Sequence, residues 1–135
     1  MTQRLLSKAE LEARSAFRHQ LRRFERFGEQ AARERGITFA QYLVLLHVEG
    51  APGRAWAHVN ELAERLQLEH HSTVGLVSRC EAAGLVERRA SDEDRRHVQV
   101  HCTRKGRAAL QAIASAMENE LESLLAHVAG RPRRG

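Results

Sequence analysis

Hydrophobic residues recur every three or four positions near both ends of the chain, which is the spacing of one helix face. This spacing predicts a first helix over Ser7–Arg35, with Gly36 as its C-terminal stop. Thr38 has the hydroxyl needed to cap a second helix, Phe39–Val48. A last helix is predicted over Thr103–Ala129, so two long amphipathic helices flank a compact middle. The apolar positions of the last helix are Leu110, Ile113, Met117, Leu121, Leu124 and Val128.

The middle of the chain alternates between short helical and extended patterns. One helix is predicted over Asn60–Leu66, with Asn60 as its cap, and another over Ser72–Ala83, where Gly84 stops it. Two strands follow, over Leu85–Arg89 and His97–Thr103, and in the second strand apolar residues alternate with polar ones. A helix, a turn, a helix and a hairpin in this order predict a winged helix-turn-helix. The expected fold class is therefore mainly α with a small β-hairpin (α+β).

Composition favours one globular domain. The chain has 135 residues, of which 42% are hydrophobic and 29% charged, which suits a folded domain with a buried core. No apolar run approaches the roughly 20 residues of a membrane span, and the N-terminus lacks a signal-peptide core, so we expect a cytoplasmic protein without a membrane partner. The chain shows no nucleotide-binding glycine loop, metal-ligand set or nucleophile with a base, so we expect neither an enzyme nor a cofactor.

The distribution of charge is more informative than its total. A formal net charge of +5 fits an anionic partner. Between Glu69 and Lys105, however, seven basic residues stand against six acidic ones, and much of the excess lies in the first 35 residues and the C-terminal tail. The tail, residues 130–135, is predicted to be basic and disordered. Binding to nucleic acid must therefore depend on the arrangement of particular side chains.

The helix predicted over Ser72–Ala83 has two chemically different faces. Its core side carries Thr73, Leu76, Val77, Cys80 and Gly84. The opposite side carries His71, Gly75, Ser78 and Ala82, flanked by Val74 and Arg79. Small side chains there let the backbone approach a DNA groove closely, which gives a reason for a glycine that costs ~1 kcal/mol relative to alanine. An ordinary amphipathic surface helix is the alternative interpretation.

Several side chains near this helix fit contacts with DNA. Ser72 and Thr73 can bond phosphate or base edges from the helix start, where the helix N-terminus itself favours a phosphate. His70 and His71 fit contacts with phosphate. Arg79 can reach a guanine or a phosphate.

The segment between the two strands, Ala90–Arg96, is charged and poor in apolar side chains. Arg96 can enter a minor groove, whose negative potential attracts arginine, and Asp94 is placed to hold its guanidinium. A solvated loop with mutually neutralised charges is the alternative. The residues predicted to contact DNA are His70, His71, Ser72, Thr73, Gly75, Ser78, Arg79, Arg88, Asp94, Arg95 and Arg96.

Five motifs follow one another at characteristic spacings. They are Leu62-Ala63-Glu64-Arg65-Leu66, Ser72-Thr73-Val74, Ala83-Gly84-Leu85-Val86-Glu87-Arg88, Asp94-Arg95-Arg96 and Thr103-Arg104-Lys105-Gly106. In this order they resemble the MarR family of bacterial transcription regulators, over roughly Thr38–Leu125. The resemblance implies a winged-helix dimer that binds a pseudo-palindromic operator, usually as a repressor, and is released by small, often phenolic molecules or by oxidants. It also implies that the recognition helix contains Ser72, Thr73, Ser78 and Arg79 and that Asp94 and Arg96 form the wing pair.

The two end helices predict a homodimer. A last helix of roughly 25 residues is about 37 Å long at 1.5 Å per residue, and a chain of this size has little core left to cover its far end. A second copy would cover it, whereas in the alternative both helices fold back on their own subunit. We therefore expect a single domain over residues 1–130, with dimerisation helices over 7–37 and 104–129 and a DNA-binding region over 38–103.

Candidate sensing residues are less well defined. Cys80 and Cys102 fall on predicted core faces, so we expect small buried hydrophobes rather than redox sensors. The eight histidines form no set of three or four converging ligands, so no metal site is expected. A small aromatic or phenolic effector would fit between the dimer helices and the DNA-binding region. Its candidate contacts, each equally suited to plain core, are Phe17, His19, Phe24, Phe39, Tyr42, His47 and Trp56.

A dimeric, sequence-specific repressor that binds double-stranded DNA is the leading interpretation. Two alternatives stay open, a winged-helix protein-interaction module and a sequence-neutral DNA-binding protein. The second would show a steep salt dependence and little preference among sites.

The wing assignment generates a first prediction. Replacing Arg96 by alanine should weaken operator binding strongly and leave the dimer folded, because the change removes a guanidinium from the minor groove and nothing from the core. Binding titrations with the operator duplex would measure the loss. Wild-type affinity in Arg96→Ala would show that the wing assignment is wrong.

Overall fold

The computed structural model describes residues 3–91 and 97–130. Within these residues the chain forms six helices and a three-stranded antiparallel sheet, which confirms the predicted winged-helix fold class. The elements are α1 (Lys8–Glu34), α2 (Phe39–Glu49), β1 (Trp56–His58), α3 (Val59–Leu66), α4 (His70–Ala82), β2 (Val86–Ala90), β3 (Val98–Cys102), α5 (Arg104–Ala116) and α6 (Glu118–Ala129).

Reciprocal side-chain caps begin the first two helices. Ser7 Oγ accepts the backbone N–H of Glu10 at 3.1 Å, and the Glu10 carboxylate accepts the backbone N–H of Ser7 at 3.0 Å. Thr38 and Gln41 repeat this arrangement at the start of α2, at 3.0 and 2.9 Å. Beyond the end of α1, Gly36 has a φ of +77°, a conformation that favours glycine. The first two predicted helices are thus confirmed, with ends set by local chemistry.

The sheet has β3 at its centre, between β1 and β2. Val86 of β2 pairs with Cys102 of β3, and Trp56 of β1 pairs with His101. Val86, Val100 and Cys102 are buried on one face, as the alternation predicted. The other face is only half-exposed at its β1 edge, because the rings of Trp56 and His101 lie with centroids 6.5 Å apart.

The hydrophobic core lies between this sheet and helices α2, α4 and α5. Its fully buried side chains include Leu45, Val48, Leu62, Val77, Leu85, Val100 and Ile113. Burial of each large aliphatic side chain contributes roughly 1.5–3 kcal/mol. The face of α4 that is buried in this core therefore sets the orientation of the helix.

Two helix starts differ from the prediction. Asn60 does not cap α3, which begins at Val59 because the Glu61 carboxylate accepts the backbone N–H of His58 at 2.9 Å. Helix α4 begins at His70 rather than Ser72, with Glu69 at its N-cap position and no side-chain cap. Each helix begins one or two residues earlier than predicted, and the earlier start of α4 makes the turn between α3 and α4 tighter than predicted.

The predicted last helix is divided at Met117 into α5 and α6. Met117 is buried, and its side chain lies with that of Phe39 over Gly28 of α1, where an added β-carbon would lie 2.8 Å from Met117 Cε. No glycine or proline near Met117 signals the division, so its cause is this packing on α1. Beyond this point α6 lies alongside α1. Only the first half of the predicted apolar stripe is buried, since Leu121 and Val128 remain exposed.

Gly106, in the first turn of α5, generates a prediction about stability. A β-carbon there would overlap the carbonyl oxygen of Leu85 and lie 3.0 Å from Leu45 Cδ2. That carbonyl accepts the backbone N–H of Thr103 at 3.0 Å, so it cannot move freely. Gly106→Ala should lower the free energy of unfolding by about 1–3 kcal/mol, as overpacking of a core does. Urea denaturation would measure it.

Gly75→Ala is the matched control for this change. The nearest atom to a β-carbon at Gly75 is Arg79 Nη1 at 3.4 Å, which is the end of a flexible side chain. This variant should gain up to about 1 kcal/mol from helix propensity. Equal stability of Gly106→Ala and the wild type would contradict the packing described at α5.

Candidate nucleic-acid interface

Helix α4 presents one buried and one exposed face, divided as the helical wheel predicted. The buried residues are Thr73, Leu76, Val77 and Cys80. The exposed residues include His71, Ser72, Ser78, Arg79 and Ala82, and Gly75 lies among them half-buried. The exposed face carries small side chains with one arginine, so a partner can approach the helix backbone closely.

Thr73 was predicted to contact DNA, and the structure places it in the core. Its side chain is fully buried, and its hydroxyl donates to the carbonyl oxygen of Glu69 at 2.9 Å. The earlier start of α4 explains the difference. Thr73 lies at the end of the first helical turn, which begins at His70, and not at the exposed start of the helix. Thr73 is therefore a structural residue of the first turn.

The first turn of α4 is tied to α3. His70 Nδ1 lies 2.7 Å from Asn60 Oδ1, which places the imidazole against the preceding helix. Gln67, in the connecting turn, has a φ of +55°, and its side chain donates to the carbonyl oxygen of Glu64 at 2.8 Å. The exposed His71 lies beside His70. The turn thus fixes the His70 imidazole at the start of α4, where His71 and Ser72 lie exposed.

Neither Asn60 nor Gln67 was identified in this role from the sequence. Asn60 had been interpreted as a cap, and a glutamine at a left-handed backbone position gives no sequence signal, since glycine and asparagine are the residues that usually mark it. The contact between Asn60 and His70 arises only because the turn is tight.

Arg88 of β2 was predicted to contact DNA, and the structure shows its guanidinium bonded to α4. Nη1 donates to Glu81 Oε1 at 2.7 Å, and Nη2 donates to Ser78 Oγ at 3.0 Å. The backbone N–H of Arg88 also donates to Glu81 Oε2, at 3.3 Å. Glu81 was missed, because no spacing in the sequence shows that β2 approaches this turn of α4.

The described part of the hairpin stops short of the remaining predicted contacts. The described part of the hairpin reaches Ala90, which pairs with Val98, and Arg89 forms an ion pair with Glu87 on the same strand. Asp94, Arg95 and Arg96 lie outside the described residues.

The candidate effector contacts lie in several places, and three of them, Phe24, Phe39 and Tyr42, pack in or against the hydrophobic core. Phe39 stacks on the buried Tyr42, with ring centroids 5.7 Å apart, and Phe24 packs on the core. His19 is exposed on α1 and His47 half-buried on α2. Trp56 belongs to β1, where the Arg54 guanidinium lies 4.5 Å from its ring centroid. Among these residues Phe17 lines the groove between α1 and α6. An effector site formed by these residues stays a prediction.

Both cysteines are buried, as predicted. Burial raises the pKa of Cys80 to about 11 and that of Cys102 to about 12. Both thiols are therefore protonated near neutral pH and poorly reactive, because the thiolate is the nucleophile. Among residues 3–91 and 97–130, no three His, Cys, Asp or Glu side chains converge in a way that could hold a metal ion. In the same ranges no helix is long and apolar enough to cross a membrane.

Comparisons with known proteins show which family and which solved structures the chain resembles. The MarR family model matches residues 35–97, which include α2, α3, α4 and β2. No curated protein matches the chain. AbsC, a MarR family transcriptional regulator from Streptomyces coelicolor, is 20% identical with a TM-score of 0.75, over 90% of this chain and 82% of that one.

Two further solved structures are similar. SP03579, a MarR family transcription regulator, is 27% identical with a TM-score of 0.72, over 86% of this chain and 74% of that one. A mutant of MarR from E. coli, in complex with operator DNA, is 22% identical with a TM-score of 0.68, over 82% and 77%. The fold and the order of motifs agree with the matched family model, so the chain is similar to the MarR family of transcription regulators over residues 35–97.

Proposed function

We propose that the chain is a homodimeric, sequence-specific regulator of transcription that places α4 in the major groove of double-stranded DNA. The observation that carries the proposal is the exposed face of α4, where His71, Ser72, Gly75, Ser78 and Arg79 lie opposite a fully buried face. A helix docked in this way offers a hydroxyl or guanidinium to base edges. Its small residues let the helix backbone come close to the floor of the groove.

Fold and family support the proposal. The E. coli MarR mutant, which shares this fold, was solved in complex with operator DNA. An S. aureus MepR mutant, 21% identical with a TM-score of 0.63, was solved bound to an oligodeoxyribonucleotide. In the present chain Arg88 neutralises Glu81, so the α4 surface presents less negative charge to phosphate than its composition suggests.

Exposed apolar side chains support the homodimer. On α1 and α6 they are Leu11, Phe17, Leu121, Leu125 and Val128. A groove of about 560 Å³ between these helices is lined by Ala13, Ala16, Phe17, Ala126, His127, Val128 and Gly130. Large apolar patches are rare on monomeric proteins and mark interaction sites. A second copy, paired through the two helices about a two-fold axis, would cover this surface and set two copies of α4 at a fixed spacing.

The finer parts of the proposal follow from the family resemblance. They are repression at a pseudo-palindromic operator and release by a small aromatic effector. The wing pair Asp94 and Arg96 belongs to the same proposal, as does a domain division into end helices for dimerisation and residues 38–103 for DNA binding.

Gly75→Ala separates DNA binding from stability. The variant should be slightly more stable than the wild type, yet bind DNA about 10-fold more weakly, because the added methyl group keeps the helix backbone from the groove. Fluorescence anisotropy with a duplex enriched from a random pool would measure the affinity, and urea denaturation the stability.

The control for Gly75→Ala is Ser115→Ala. Ser115 is exposed on α5, away from α4, so this change also favours helix and should leave DNA affinity unchanged. A Gly75→Ala variant that binds as tightly as the wild type would remove close approach of α4 from the proposal.

Leu125→Asp tests the dimer. Leu125 is 57% exposed on α6, so an aspartate there should leave the subunit folded. It should prevent pairing, because the carboxylate would be buried in an apolar interface. Light scattering should give twice the chain mass for the wild type and the single-chain mass for the variant. Leu68→Asp, a change at an exposed leucine between α3 and α4, should keep the dimer. A monomeric wild type would contradict the proposed assembly.

A further inference from the structure

Arg88 connects the wing to three consecutive turns of α4. Its guanidinium lies near Val74, Ser78 and Glu81, which are spaced four and three residues apart and so line one side of the helix. Beside the bonds to Ser78 and Glu81, Nη2 lies 3.5 Å from the Val74 carbonyl oxygen. The Arg88 side chain is 28% exposed, so these bonds are partly shielded from water. One side chain therefore joins β2 to the exposed helix.

The bond to Ser78 fixes the direction of a hydroxyl proton. A guanidinium donates and never accepts, so Ser78 Oγ must be the acceptor of the bond from Arg88 Nη2. The hydroxyl has one proton, which cannot point toward Arg88. Ser78 is exposed on α4, so a partner that approaches this face can accept that proton. The proton is thus available on the exposed face of α4.

We propose that Arg88 is a positioning residue that holds the wing against α4 and turns the Ser78 hydroxyl outward as a hydrogen-bond donor to DNA. This inference rests on the proposed function and deepens it. A donor at this place matches acceptors in the major groove, which are O6 and N7 of guanine, N7 of adenine and O4 of thymine. Ser78 is then a residue that determines specificity, and Arg88 acts through it.

The alternative is that Arg88 contacts a DNA phosphate directly. Two features oppose it. Both terminal nitrogens already donate to α4, and the Glu81 carboxylate neutralises the charge at 2.7 Å. A phosphate that binds the remaining N–H groups would meet a guanidinium whose charge Glu81 already neutralises, whereas the Ser78 proton needs no rearrangement. The two possibilities differ in how affinity depends on salt and on Ser78.

A double-mutant cycle on DNA affinity tests the proposal. The variants are Ser78→Ala, Arg88→Met and the double variant, each titrated with a duplex enriched by the wild type. Ser78→Ala should weaken binding about 3- to 10-fold, the range expected for one hydrogen bond. Arg88→Met should weaken it to a similar extent, and the double variant should bind no worse than either single variant, because both changes remove the same contact.

Salt dependence separates positioning from phosphate contact. In Arg88→Met the slope of log affinity against log salt concentration should equal that of the wild type. A lost phosphate contact would instead reduce the slope by about 0.9. Arg89→Met is the matched control, since it removes the same charge from the next residue, whose partner is Glu87 rather than α4. The control should leave the coupling between positions 78 and 88 intact.

Arg88→Lys keeps the experiment decisive if Arg88→Met does not fold. Lysine retains the charge and loses the two-armed geometry that spans Glu81 and Ser78. The proposal expects weakened binding with an unchanged salt slope, whereas direct phosphate contact expects nearly wild-type affinity.

The contradicting results are distinct from failure of the proposed function. Additive losses in the cycle, or a salt slope reduced by Arg88→Met, would overturn the positioning role in a protein that binds DNA. A wild-type chain that enriches no DNA would overturn the proposed function, and the role of Ser78 with it. In that case the urea midpoints of the same variants could be compared. Shifts that do not add in the double variant would report the contact between the wing and α4, but not its function.

Discussion

Burial of one face of α4 is the constraint on which the rest of this structure depends. Thr73, Leu76, Val77 and Cys80 are at most 4% exposed, in contact with the core beneath the sheet. Rotation of the helix by half a turn would expose these side chains and bury Arg79, at a cost of several kcal/mol for the apolar groups and more for the charge. The opposite face is therefore held toward the outside with little freedom.

Ion pairs alter the charge of the surface that core packing leaves exposed. Close to α4, Arg88 is paired with Glu81, and on the far side of β2 Arg89 is paired with Glu87. Arg79, His70 and His71 are further polar side chains of the exposed face. The total charge of the chain contributes less to binding at such an interface than the direction of individual hydrogen-bond donors does.

Local signals allowed much of the fold to be predicted. Thr38 and Gly36 mark helix ends through their own side-chain and backbone chemistry, and the periodicity of α4 shows its buried face correctly. Two differences from the prediction depend on contacts between distant segments. The division at Met117 follows from packing on Gly28, and the bonding of Arg88 follows from the approach of β2 to Glu81. Neither contact leaves a pattern within one element.

Selection of binding sites from random duplexes, at near-physiological salt with excess competitor DNA, tests the central claim most directly. A dimer that presents two copies of α4 should enrich a pseudo-palindrome with half-sites about one helical turn apart. Recovery of no consensus, with binding that disappears as salt rises, would contradict sequence recognition by α4 and favour a sequence-neutral DNA-binding protein.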